Sequence, residues 1–198
     1  GEDKWDMQTL EDNMVFLGLV AMSDPPRQGV REAIEKCHRA SIRIIMVTGD
    51  YGLTALSIAK KIGIFADGDL AVTGLELDAM SDKELDDKIE KISVYARVSP
   101  ENKIRIVEAW QKKGNIVSMT GDGVNDVLAL KDADCSVAMA SGSDAAVQAS
   151  QVVLLESDFS RMPEVVLEGR RVVNNIQRSA SLFLVKNIFS FLLAIFSA

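Results

Sequence analysis

Cysteine is scarce in this 198-residue sequence: only Cys37 and Cys135 occur, far apart and with no CxxC pair, and His38 is the sole histidine. That scarcity excludes a disulfide framework and a Cys/His zinc site, and it fits a reduced, cytosolic compartment. Both cysteines have apolar neighbours and read as buried structural thiols. His38, in the charged stretch 35–39, reads as an exposed imidazole. Basic residues are also short relative to acidic ones, 22 against 29, which gives a net charge of −7 and a pI near 4.8. Such a balance repels a phosphate backbone, so nucleic acid is not an expected partner. No Asn-Gly hairpin turn and no D-x-D-x-T motif occurs.

What is present is enough apolar residue, 47%, to fill a core. Residues 1–13 are polar and acidic and read as a linker. From Met14 apolar runs alternate with stretches at helical spacing. The strand-like runs are 14–22, 42–47, 70–73, 93–98, 115–120, 135–140 and 151–156. Between them, helical patterns cover 27–40, 53–64, 81–92, 99–114, 124–133 and 143–150. Ser81 with Glu84 three residues on forms a capping box, and Pro100 suits a first helical turn. Strand-helix alternation without tight hairpins predicts an α/β fold with a parallel, doubly wound sheet.

Beyond Pro163 the sequence has a single glycine and no proline, and reads as one long helix. Its first half is amphipathic and basic, with Arg170, Arg171 and Arg178. From Leu182 it is apolar except for Lys186, Asn187 and serines. Residues 182–198 fall short of the ~20 needed to span a bilayer. Arginines ahead of an apolar stretch suit a cytosolic stalk that enters a membrane. The sequence opens on Gly1 and closes inside this apolar run, so both ends are expected to lie within a longer protein.

In an open parallel sheet, ligands bind at the carboxyl ends of the strands. Polar clusters fall there after four of the predicted strands: Asp24, Thr48-Gly49-Asp50, Arg97-Val98-Ser99 and Thr120-Gly121-Asp122. TGD thus occurs twice, each time between an apolar run and a helix. A threonine hydroxyl with the free N–H groups of a glycine turn makes a phosphate cradle. Asp122 and Asp126 bracket Gly123, and Mg²⁺ takes few protein carboxylates, completing its octahedron with water and phosphate oxygens. Lys103, at the start of its helix, is placed to aim an ammonium at that phosphate. These are the parts of a phosphoryl-transfer site without a nucleophile.

DPPR (24–27), MVTGD (46–50), ARVSPENK (96–103), MTGDGVND (119–126), ALKDAD (129–134) and the EGRR segment from 168 carry a resemblance. The sequence resembles the phosphorylation domain of P-type cation-transporting ATPases, calcium-type and mainly bacterial, within the haloacid dehalogenase-like superfamily. The resemblance implies that Asp122 binds Mg²⁺, with Asp126 and Asn125 supporting the metal and phosphate site. It implies that Thr48 and Gly49 hold phosphoryl oxygens, that Asp50 organises their loop, and that Lys103 neutralises transferred charge. Asp24 and Arg27 would face the nucleotide, ATP. The implied domains are a linker (1–13), the downstream part of the phosphorylation domain (14–162), a stalk (163–181) and the start of a transmembrane helix (182–198).

The phosphorylated aspartate of that family stands in a DKTGT motif, which this sequence does not contain. The nearest imitation, Asp67 and Asp69 in 62–73, falls in the wrong place, between the first TGD and SPENK. The expected partners are therefore an upstream DKTGT segment, a nucleotide-binding domain, a transported cation and a membrane. The isolated chain is expected to be inactive. The alternatives are a stand-alone phosphatase of the superfamily and a non-catalytic fragment that binds Mg²⁺ or phosphate.

Overall fold

The computed structural model describes residues 14–18, 20 and 25–197. The expected linker (1–13) and Asp24 lie outside the described residues. Strand-helix alternation is realised from Val30 onward: α1 (Val30–Arg39), β1 (Met46–Thr48), α2 (Gly52–Ile62), β2 (Leu70–Thr73), α3 (Gly74–Ala79), α4 (Asp82–Lys88) and β3 (Ile92–Ala96). There follow α5 (Pro100–Lys112), β4 (Ser118–Gly121), α6 (Val127–Asp132), β5 (Cys135–Met139), α7 (Asp144–Ala149), β6 (Val152–Leu154) and α8 (Met162–Phe196).

Among the described residues all the strand pairings are parallel, and they form two three-stranded sheets, ordered β1-β3-β2 and β4-β5-β6. The central strand β3 is buried along its whole length, because helices cover both of its faces. In one cluster Ile92 and Tyr95 pack with Val72, Leu77, Leu85, Ile89 and Ile106. In a second, Val94 and Ala96 pack with Ile34, Ala55, Ala59 and Ile62. Each fully buried aliphatic side chain contributes about 1.5–3 kcal/mol, so these two clusters anchor α1 to α5 on the sheet. Burial pushes the Tyr95 phenol well above its ordinary pKa, and among the described residues its hydroxyl finds no hydrogen-bond partner.

Strands β1, β2, β4 and β6 are the edges: each pairs on one side only among the described residues, and each is less buried than β3 and the middle of β5. The run 14–22, expected to be a buried strand, is not one over its described residues. Met14, Val15, Phe16, Leu17 and Val20 are exposed and unpaired. Apolar patterning records what a segment is able to bury; pairing also needs a neighbour that presents free N–H and C=O groups. Cys37 is buried as expected and its thiol pKa is raised by that burial, whereas Cys135, at the start of β5, is half-buried. His38 is exposed.

After β6 the chain enters α8 through a 3-10 turn at Phe159–Arg161, and Arg161 is clasped by Glu156 at 2.7 Å. The Arg170 guanidinium donates to the Ala40 carbonyl at 2.7 Å, tying α8 to the end of α1. At 35 residues α8 is about 52 Å long. The span Phe159–Phe196 is long and apolar enough to cross a membrane, and none of its most apolar window is buried.

Candidate active site

Two loops meet at the carboxyl ends of β1 and β3. Thr48 ends β1, and its Oγ1 accepts the Asp50 N–H at 3.1 Å, which closes the Thr-Gly-Asp turn. The hydroxyl proton of Thr48 stays available as a donor. The loop after β3 knits onto this turn: Arg97 N–H donates to the Asp50 carbonyl at 3.2 Å and Val98 N–H to the Thr48 carbonyl at 3.3 Å. Arg97 accepts a left-handed backbone, φ 54°, to do so, and its guanidinium lies 5.4 Å from the Tyr51 ring centroid. Gly49 and Asp50 are exposed.

Ser99 then caps α5 by accepting the Asn102 N–H, and Pro100 occupies the first turn. This fixes where Lys103 leaves the helix. Its Nζ reaches Oδ1 of Asp126 at 2.6 Å, with both side chains largely shielded from water. The other oxygen, Oδ2, accepts the N–H groups of Asp122 (3.3 Å) and Gly123 (3.1 Å). Gly121 makes this closure possible, because a Cβ there would lie 2.6 Å from Cβ of Asp126.

The two aspartates of the motif are therefore unequal. Asp126 is 7% exposed and saturated with donors, whereas Asp122 and Asn125 are exposed. Among the described residues no group of three metal-ligating side chains is assembled. The donor set, one open carboxylate with a second behind it, fits the needs of Mg²⁺, which takes few protein carboxylates. Of the two expected metal residues, Asp122 has its carboxylate open to solvent and Asp126 has its oxygens engaged by Lys103 and by the Asp122 and Gly123 N–H groups.

The remaining expected site residues divide. Arg27 Nη1 donates to the Ser157 carbonyl at 2.6 Å, which ties the segment before α1 to the turn after β6. Asp67 and Asp69 precede β2 and so sit at the amino end of the sheet, away from both TGD loops. Asp69 there accepts from Ser93 Oγ at 2.8 Å and from the Ala66 N–H at 3.0 Å. One contact escaped sequence reasoning: the Ser143 N–H donates to the Asp122 carbonyl at 2.7 Å. Its only local signal is Gly142, since the contact joins two different strand ends.

Thr48, Lys103 and Asp122 thus stand at or just beyond the carboxyl ends of parallel strands in an α/β scaffold. Residues 4–134 match the haloacid dehalogenase-like hydrolase family, and the chain belongs to it. It is 49% identical over 187 residues to a calcium-transporting ATPase of Listeria monocytogenes, covering 94% of this chain and 21% of that protein. It is 48% identical over 189 residues to calcium-transporting ATPase 1 of Lactococcus lactis, covering 96% and 22%. The chain thus spans about a fifth of the length of these relatives. Among solved structures, the catalytic domain of the CPx-ATPase CopB-B, described for its conformational changes upon nucleotide binding, aligns at a TM-score of 0.54. It shares 29% identity, over 73% of this chain and 46% of that one.

Proposed function

We propose that this chain is the downstream part of the phosphorylation domain of an ATP-driven cation pump, with calcium as the cargo. The observation that carries the reading is the Lys103–Asp126 pair. One partner comes from the helix after β3, whose preceding loop is hydrogen-bonded to the first TGD turn, and the other from the loop after β4, so two TGD loops are drawn to one end of the fold. The names of the relatives, calcium-transporting ATPases, support the same reading. So do the open edges of β1 and β4, which offer free backbone groups to an upstream DKTGT strand.

On this reading the phosphorylatable aspartate arrives with that upstream strand, together with a nucleotide-binding domain that presents ATP. Thr48 Oγ1–H and the Gly49 amide donate to the phosphoryl oxygens, and Asp50 keeps their turn closed. The Lys103 ammonium, held by Asp126, keeps positive charge beside the transferred group. Asp122, with Asn125 beside it, would hold Mg²⁺, which when bound neutralises charge on the phosphoryl oxygens. Asp24 and Arg27 would serve the nucleotide. Residues 14–162 form the cytoplasmic domain, 163–181 the stalk, and 182–198 the start of a transmembrane helix. Without DKTGT the isolated chain forms no aspartyl phosphate.

The test is radiophosphate labelling from ATP in the full-length protein. Acid-stable, hydroxylamine-labile label that requires Mg²⁺ and vanishes in Asp122→Ala is expected, and the ion that stimulates it names the cargo. Phosphatase turnover by residues 1–198 alone would overturn the reading, because it would place a nucleophile inside this chain.

A further inference from the structure

We propose that Gly142 and the amide of Ser143 form a brace that positions Asp122 for its metal ion, which makes Gly142 a positioning residue of the site. The inference rests on the Mg²⁺ reading above and adds the element that holds the ligand in place. Asp122 is exposed, and an exposed carboxylate on a glycine-flanked loop gains metal affinity only if its main chain is fixed.

Both main-chain polar groups of Asp122 are in fact fixed. Its N–H donates to Oδ2 of Asp126 at 3.3 Å, and its carbonyl accepts the Ser143 N–H at 2.7 Å. The first contact belongs to the motif itself. The second comes from the turn between β5 and α7, and that turn is well anchored. Gly142 N–H donates to the Met139 carbonyl at 2.9 Å, at the end of β5, and β5 pairs with β4 in a register that sets Gly121 opposite Ala138. Ser143 caps α7 by accepting the Ala146 N–H at 3.2 Å.

The approach of the two loops admits no side chain. A Cβ on Gly142 would stand 2.6 Å from the Asp122 carbonyl oxygen, 2.9 Å from its Cα and 3.0 Å from the Met139 oxygen. These are backbone atoms, which have no rotamer to escape into, so any larger residue must push the Asp122 main chain away. With the brace in place, the carboxylate is left only its own χ rotations. Outer contacts of this kind typically change metal affinity by about 10- to 100-fold when removed.

The experiment reads metal binding, not turnover: Mn²⁺ as the probe ion, followed by electron paramagnetic resonance, in the full-length protein. The signal lost in Asp122→Ala defines the site. Gly142→Ala is expected to weaken that binding about 10- to 100-fold, while Gly169→Ala, whose added methyl meets open space, retains it. Ser143→Pro removes the N–H at a φ of −68° that proline accepts. It is expected to weaken binding well beyond Ser143→Ala, which loses the same cap but keeps the N–H, and this comparison serves if Gly142→Ala does not fold. Two results overturn the brace: binding by Gly142→Ala equal to that of the unsubstituted protein, or equal binding by the two Ser143 variants. If Asp122→Ala itself binds Mn²⁺ undiminished, the Mg²⁺ reading fails and the brace with it.

Discussion

Lys103 Nζ stands 2.6 Å from Asp126 Oδ1, and this contact joins a helix that follows one three-stranded sheet to a loop that follows the other. With side chains only 14% and 9% exposed, the pair is shielded enough that losing one member leaves a charge without compensation. Lys103→Met is therefore expected to cost about 3–5 kcal/mol of stability. Adding Asp126→Leu removes the stranded carboxylate and is expected to recover much of that loss, but no phosphorylation. Thermal unfolding and phosphate labelling on the same two variants check both halves; recovery of labelling in the double variant would show that the pair is only structural.

Tyr95 carries a hydroxyl into the core, where it finds no partner among the described residues. An unsatisfied buried hydroxyl costs about 1–3 kcal/mol. Tyr95→Phe keeps the ring and removes that cost, so the variant is expected to be at least as stable as the unsubstituted protein, by about 1 kcal/mol. A lower unfolding midpoint would mean that a bound water serves this hydroxyl.

Asp134 accepts the Val117 N–H at 2.8 Å and the Gln111 amide at 3.3 Å, and these donors hold its carboxyl below the ordinary aspartate value. A lowered folded-state pKa contributes stability that is complete above the unfolded value, about 3.9. It is lost as pH falls through the lower folded value. Asp134→Asn is therefore expected to be less stable at neutral pH, with the difference from the unsubstituted protein closing in acid below about pH 4. Unfolding midpoints measured across that range check the sign; a difference that widens in acid would refute it.

The open edges of β1 and β4 set a further expectation. Restoring the upstream DKTGT segment with its nucleotide-binding domain should slow amide exchange in both strands, at Val47 and Thr120 for example, because previously unpaired groups acquire partners. Exchange that stays as fast as in the isolated chain would place the missing strand elsewhere.

Helix α8 is continuous from Met162 to Phe196, so a proline at Val173 tests it as a mechanical link. The substitution costs about 3 kcal/mol of helix and removes a backbone hydrogen bond. Ion transport is expected to fall steeply while ATP-dependent labelling survives. Transport that persists would mean that the link runs through other elements.

Much of this was legible because the signals were local. β2 falls on 70–73 as read, the Ser81–Glu84 capping box is present, and Ser99 and Pro100 begin α5 where expected. The short helix α3 falls between the elements read from the sequence, although Thr73 and Glu76 form a second capping box. The run 14–22 misled for a different reason: its pattern is that of a strand, but strands are made by pairs. Sequence order alone did not separate Asp122 from Asp126, because what distinguishes them is the reach of Lys103 and Ser143 from other strand ends. Non-local contacts leave no period in a sequence.

The tie between Arg170 and Ala40 also sets a length. From Arg170 to Phe196 the helix runs on for about 39 Å with every side chain exposed, so the tie acts as a fulcrum placed near one end of a rod. A tilt of about 10° there, small enough for a few side-chain contacts to absorb, carries the far tip sideways by about 7 Å, more than one helical turn. Amplification of that size needs no hinge along the way, only stiffness.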